Sequence, residues 1–221
     1  MTEIIFEDNH LLVVKKPVNI PVMEDSSKDD DLLSMMKVYI KEKYSKPGNV
    51  FLGLVHRLDR PVGGVMVFAK TSKSASRLSE QIRNNLFQKS YLCVVRGKLN
   101  DKNGELKNYL SKNESENKSY VTEHQSPNSK LALLTYEVMK ESELYSLIKV
   151  NLITGRHHQI RVQFANAGFP IYGDQKYGTD QQKAQIALWA FELTLSHPVT
   201  KEKMTFTCDP DYDRFPWSLF I

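Results

Sequence analysis

The chain has 221 residues, 41% of them apolar, enough to bury one good core and consistent with a single domain over 1–221. No run approaches the roughly 18 apolar residues of a membrane span, and the opening MTEIIFEDNH lacks the basic start and apolar centre of a signal peptide, so a soluble, cytoplasmic protein is expected. The net charge of +4, from 30 basic and 26 acidic residues, permits a nucleic-acid partner without demanding one.

In chain order, IIFEDNHLLVVKKP reads as strand, turn, strand: Ile4 to Phe6, the Asp8-Asn9 turn, then Leu11 to Val14, ended by Pro17. The polar MEDSSKDDD follows, and its acidic end can cap a helix over Leu32 to Tyr44, with Leu32, Met35, Met36 and Tyr39 as a core stripe. GLVHRLDRPVGGVMVFAKT, residues 53–71, reads as two apolar strands joined through a polar knot and a tight bend. Thr71 or Ser72 can cap the next helix, whose apolar face is Ala75, Leu78, Ile82 and Leu86.

A strand over Ser90 to Val95 comes next, and residues 100–130 then turn polar, an expected mobile excursion of short strands and loops. Strands near Leu131 to Met139 and Leu144 to Ile153 lead into TGRHHQIRVQFANAG, which reads as turn, then helix, with Gly168 just past the helix end. Ile186 to Leu195 and Lys203 to Cys208 are the last strand candidates, before the aromatic tail YDRFPWSLFI. Strand runs outnumber helices about two to one and are mostly joined by polar turns, so the expected fold is α+β, a mainly antiparallel mixed sheet with flanking helices. Cys93 and Cys208 lie far apart in strand-like sequence and read as buried thiols, not a disulfide or metal site.

Two polar knots stand out. In the first, one carboxylate, Asp59, lies between Arg57 and Arg60. Taken alone, an Arg-Asp-Arg run is most often a solvated turn, where ion pairs contribute about 0–1 kcal/mol. In the second, TGRHHQIR opens a helix whose first-turn amides favour an anion, and Arg156 would add charge-assisted hydrogen bonds. Arg161, one turn further in, could reach a carboxylate on a neighbouring strand, with Asp59 the obvious candidate. His157 and His158 point about 100° apart on a helix and have no acid or thiol nearby, which argues against a metal. His158 is better read as a structural or RNA-contacting polar residue, and Lys15-Lys16 equally as a solvated strand end or an RNA contact.

HRLDRPVGGVMVFAKT at 56–71, KSYLCVVRG at 89–97 and TGRHHQIRVQFANAGFPIYGDQKYG at 154–178 stand in an order and spacing that resemble the RluA-type family of RNA pseudouridine synthases. The likeness runs from about Ile4 to Pro216-Trp217, and HRLD followed much later by GRHHQIR is far more specific than either fragment. The resemblance implies a pseudouridine-synthase-like catalytic domain that detaches uracil from its ribose within RNA, rotates it and rejoins it through a ring carbon, with no cofactor and no metal. On it, Asp59 matches the catalytic aspartate, as nucleophile or as promoter of glycal formation. Tyr91 matches the tyrosine that packs on the target base, and Arg161 the arginine paired with that aspartate. Arg57, Arg60 and Arg156 are then candidates for phosphate contacts. Without the resemblance, Tyr91 would be read as a core strand tyrosine.

The sequence departs from the family in its Arg-Pro-Val-Gly-Gly bend, where Arg-Asp-Thr-Ser-Gly or similar is common, and in Gln163, which replaces a frequent histidine. The first strand also begins at once, so no separate RNA-binding domain is expected ahead of the catalytic one. The expected partner is ribosomal or transfer RNA and the expected state a monomer. The competing reading is an RNA-binding or ribosome-assembly factor on the same scaffold with little or no isomerase activity.

Overall fold

The computed structural model describes residues 2–178 and 184–221, and the chain clusters into two compact units. The first comprises residues 1–87 and 190–208, and the second 88–189 and 209–221.

The first unit is built on β1 (Glu3–Glu7) and β2 (Leu11–Lys16). Their turn is fixed by Asp8, whose carboxylate accepts the backbone N–H of His10 at 2.7 Å and of Leu11 at 2.6 Å. β2 lies between β1 and β4 (Gly63–Ala69), antiparallel to both, with β3 (Gly53–Leu54) also on β4. Leu11 to Val14 and every residue of β4 are buried, as continuous apolar runs are in strands covered on both faces. β10 (Leu188–Ser196) follows β4 in strand order and carries β11 (Lys203–Thr207). A methyl at Gly64, where φ is +122°, would lie 2.2 Å from the Ala190 carbonyl oxygen, so the bend after the first knot requires glycine there.

Two helices complete this unit. α1 (Leu32–Lys43) is capped by Asp31, which accepts the Ser34 N–H at 3.0 Å, and it buries Leu32, Met36 and Ile40. Tyr39, expected in that stripe, instead turns its hydroxyl to Glu7 at 2.9 Å. α2 (Ser72–Arg83) is capped by Thr71 and buries Leu78. Leu86, expected on its apolar face, falls beyond the helix end at Asn84 and is exposed.

In the second unit the strand order is β5 (Gln88–Arg96), β9 (Tyr145–Leu152), β8 (Ser129–Glu141), β6 (Asn103–Asn113), β7 (Lys118–Thr122), with antiparallel pairing throughout. Residues 100–130, expected as short strands and loops, therefore contain an 11-residue strand. Gly104, Leu106, Asn108 and Leu110 lie on one side of β6, and only Leu106 and Leu110 there are large and apolar, which hid the period of two. α3 (Gln159–Asn166) packs on β6 and β7 and ends before Gly168, at φ +86°. The tail forms a 3-10 turn, Trp217–Phe220, with Trp217 and Phe220 buried. The α+β class with a mainly antiparallel sheet is thus observed.

Candidate active site

Each unit carries part of the predicted site. In the first, residues 55–62 join β3 to β4. The His56 ring is edge-on to Phe87 at 5.3 Å, and its Nε2 accepts the Val67 N–H at 3.2 Å, so its proton sits on Nδ1. Leu58 is buried, Arg57 and Arg60 are exposed, and Asp59 between them is half-buried. The Asp59 carbonyl accepts the Val62 N–H at 3.0 Å, closing the turn. HRLD therefore anchors through His56 and Leu58 and presents its charges.

The residue beneath this turn is Lys16, which the sequence alone reads equally as a solvated strand end or an RNA contact. It is fully buried, and its ammonium donates to the carbonyls of Pro17 (3.0 Å), Arg60 (3.0 Å) and Val62 (2.8 Å). These three bonds use all the donors of an ammonium, and they tie the two residues flanking Pro61 to the end of β2. Burial pushes the Lys16 pKa down to about 7, the Asp59 carboxylate acts against that fall, and the Arg60 charge adds to it. The only clue in the sequence is that Lys16 shares a strand face with Leu12 and Val14.

Arg60 is drawn into the loop before α1. It forms an ion pair with Asp29, lies 3.8 Å from Asp25, and donates to Ser27 Oγ at 3.0 Å and the Asn19 carbonyl at 3.2 Å. Arg57 touches Met23 Sδ at 3.7 Å.

In the second unit, Tyr91 lies on β5 opposite Val150 and is 7% exposed. Arg161, on α3, is gripped in two-point fashion by Asp174: Nε to Oδ2 at 2.8 Å and Nη2 to Oδ1 at 2.7 Å. Asp174 also accepts the N–H groups of Lys176 (2.9 Å) and Tyr177 (3.2 Å). Burial alone would raise its pKa, but the Arg161 guanidinium and these amides hold it below the ordinary carboxylate value. Asp174 stood within the GFPIYGDQKYG stretch, yet nothing in its spacing marks it as the partner of Arg161.

The pair continues into a polar chain. The Arg161 guanidinium lies 5.3 Å from the centre of the Tyr177 ring, and Tyr177 Oη is 2.8 Å from His158 Nδ1. His158, at φ +53° and buried, stacks on His157 at 3.7 Å, and His157 Nδ1 lies 2.9 Å from Ser119 Oγ. Arg156 is exposed, with its Nε donating to the Leu131 carbonyl at 2.8 Å. Among the described residues no cluster of three or more His, Cys, Asp or Glu side chains could hold a metal ion, and no helix is long and apolar enough to cross a membrane.

Residues 10–166 match the family model described as RNA pseudouridylate synthase. The chain belongs to this family. It is 34% identical over 217 residues to the ribosomal large subunit pseudouridine synthase C of Pasteurella multocida, covering 95% of this chain and 64% of that protein. It is 29% identical over 231 residues to the tRNA pseudouridine synthase C of Haemophilus influenzae, covering 96% and 94% respectively. The chain thus spans slightly less than two thirds of the length of the first relative and nearly all of the second. The solved structure of human RNA Pseudouridylate Synthase Domain Containing 4 shares the fold, with a TM-score of 0.79 at 22% identity over 95% of this chain and 88% of that one.

Proposed function

We propose that the chain is an RNA pseudouridine synthase that isomerises a specific uridine in structured RNA, with Asp59 as its catalytic carboxylate. The observation that carries the reading is the family match over 10–166, which contains HRLD, KSY and GRHHQIR in order and with them Asp59, Tyr91 and Arg161. Ribosomal RNA is the favoured substrate because the 34%-identical relative is named for the large ribosomal subunit; transfer RNA is the second choice, from the relative named for it. The enzyme acts in the cytoplasm as a monomer.

In this reading the N-glycosidic bond of the target uridine breaks, the uracil turns, and its C5 bonds to the ribose while the C5 proton leaves and N1 gains one. Asp59 acts as nucleophile on the sugar or as promoter of glycal formation, and the Lys16 ammonium, when protonated, adds a positive charge to its surroundings. Tyr91 offers a ring to the uracil, offsetting part of the few kcal/mol needed to take a base out of its stack. Arg161, the arginine that the family resemblance pairs with the catalytic aspartate, is oriented by Asp174. Arg57 and Arg156 are the phosphate-contact candidates with fewest ties to acids; Arg60 and His158 are bound into the fold.

The test is pseudouridine mapping of total RNA by carbodiimide labelling and reverse-transcription stops, in cells with the wild-type protein, with Asp59→Ala, and without it. A site lost from both altered strains is expected. A site lost only on deletion would remove Asp59 from the mechanism, and RNA binding by pure protein with no conversion would favour a binding or assembly factor.

A further inference from the structure

We propose that Lys89 and Arg156 form a binding site for one phosphodiester of the RNA strand; the inference rests on the RNA-directed function above. Lys89 stands at the start of β5, two residues before Tyr91. The two side chains therefore leave the same strand face, about 7 Å apart along it. The Lys89 amino group reaches the Thr154-Gly155-Arg156 turn: a methyl built on Gly155 would lie 3.2 Å from its Nζ. Glycine leaves that approach open, and the residue is exposed.

Neither cation is neutralised. Among the described residues Lys89 has no hydrogen-bond or ion-pair partner, although it is partly buried and burial lowers its pKa. Arg156 is fixed through Nε to the Leu131 carbonyl, a neutral acceptor that orients the guanidinium and leaves its charge intact. The start of α3 contributes less, because Gln159 Oε1 already accepts the Arg156 N–H at 2.9 Å and the Thr154 hydroxyl at 2.8 Å. Two uncompensated cations beside a glycine, one of them oriented by a carbonyl, suit a singly charged anion with several acceptor oxygens, as in a phosphodiester. The place of Lys89 on the Tyr91 face favours a phosphate flanking the target nucleotide.

The probe is a fluorescein-labelled hairpin RNA with uridines in its loop, titrated by anisotropy over a range of salt concentrations with the full chain, Lys89→Gln and Lys89→Arg. Lys89→Gln should weaken binding several-fold and reduce the slope of log affinity against log salt by about 0.7–0.9, one phosphate contact, while Lys89→Arg restores both. The melting temperature of Lys89→Gln should equal or exceed that of the wild type, because a poorly solvated cation has been removed. A lower melting temperature with an unchanged salt slope would overturn the proposal and make Lys89 a structural residue. Conversion of uridine by the wild type, followed in parallel, separates the two readings: its absence refutes the isomerase, whereas the salt slope decides the phosphate site.

Discussion

The two polar knots handle buried charge in opposite ways. In the second unit, the Arg161 charge meets a carboxylate at two points, and Asp174 is satisfied in turn by two backbone amides, so the two charges compensate each other. In the first, the Lys16 ammonium meets only carbonyl oxygens. Neutral dipoles satisfy its hydrogens without cancelling its charge, which therefore still acts on the half-buried Asp59. A closed pair builds structure; a cation solvated by carbonyls both fastens a loop and supplies field to the group beside it.

The largest test of this contrast is Asp174→Ala. It removes two hydrogen bonds from a guanidinium that is 4% exposed, and breaking a buried pair from one side costs about 3–5 kcal/mol. Urea unfolding should show that loss, and a change under about 1 kcal/mol would show that the pair is not the structural centre of its unit. The pH dependence has a definite sign. The folded Asp174 pKa lies below its ordinary value of 3.8, so its contribution is present above that value and disappears as pH falls through the lowered one.

Lys16→Met should cost less, about 1–3 kcal/mol, because it leaves neutral carbonyls in want of donors. Here the pH effect has the same sign but falls in a higher window. With a folded pKa of about 7 against an ordinary value of 10.5, the unfolded chain binds more protons across that window, so wild-type stability rises with pH through it. Lys16→Met should flatten that rise, and an identical pH profile in the variant would mean that Lys16 stays protonated. Asp59→Asn comes next in effect on stability, at no more than about 1 kcal/mol, yet should abolish pseudouridine formation. Circular dichroism and RNA binding near wild type would confine the loss to chemistry; a parallel loss of fold would undercut the assignment.

How far the sequence reaches follows the same division. The caps Asp31 and Thr71, the strands β2 and β4, and the end of α3 at Gly168 were legible because local chemistry sets them. β6 was obscured because Asn108 takes an inward position between Leu106 and Leu110, where its Oδ1 accepts from Gln163 Nε2 at 2.8 Å. Gln163, noted in the sequence only as a departure from the family, is thus a bracket between α3 and β6, also donating to the Leu106 carbonyl at 3.0 Å. Asp174 as a partner of Arg161 was hidden because a carboxylate 13 residues further on reaches it only after an intervening turn, and Lys16 because a lysine beside proline ordinarily signals a strand end in water.

A finer test probes whether the second knot is one network. Ser119, 2% exposed, donates its hydroxyl to the His157 carbonyl at 2.9 Å, with His157 Nδ1 at 2.9 Å as a further partner, and its N–H goes to Tyr177 Oη at 2.7 Å. Ser119→Ala deletes the hydroxyl bonds and spares the N–H bond, for an expected loss of about 0.5–1.5 kcal/mol. Tyr177→Phe deletes the acceptor of that N–H and the contact with His158 Nδ1. If the histidine stack transmits position from Ser119 to Tyr177, the double variant should depart from the sum of the singles by at least about 0.5 kcal/mol in urea unfolding. Additive losses would make these independent bonds, and the closed character of the knot would then rest on Arg161 and Asp174 alone.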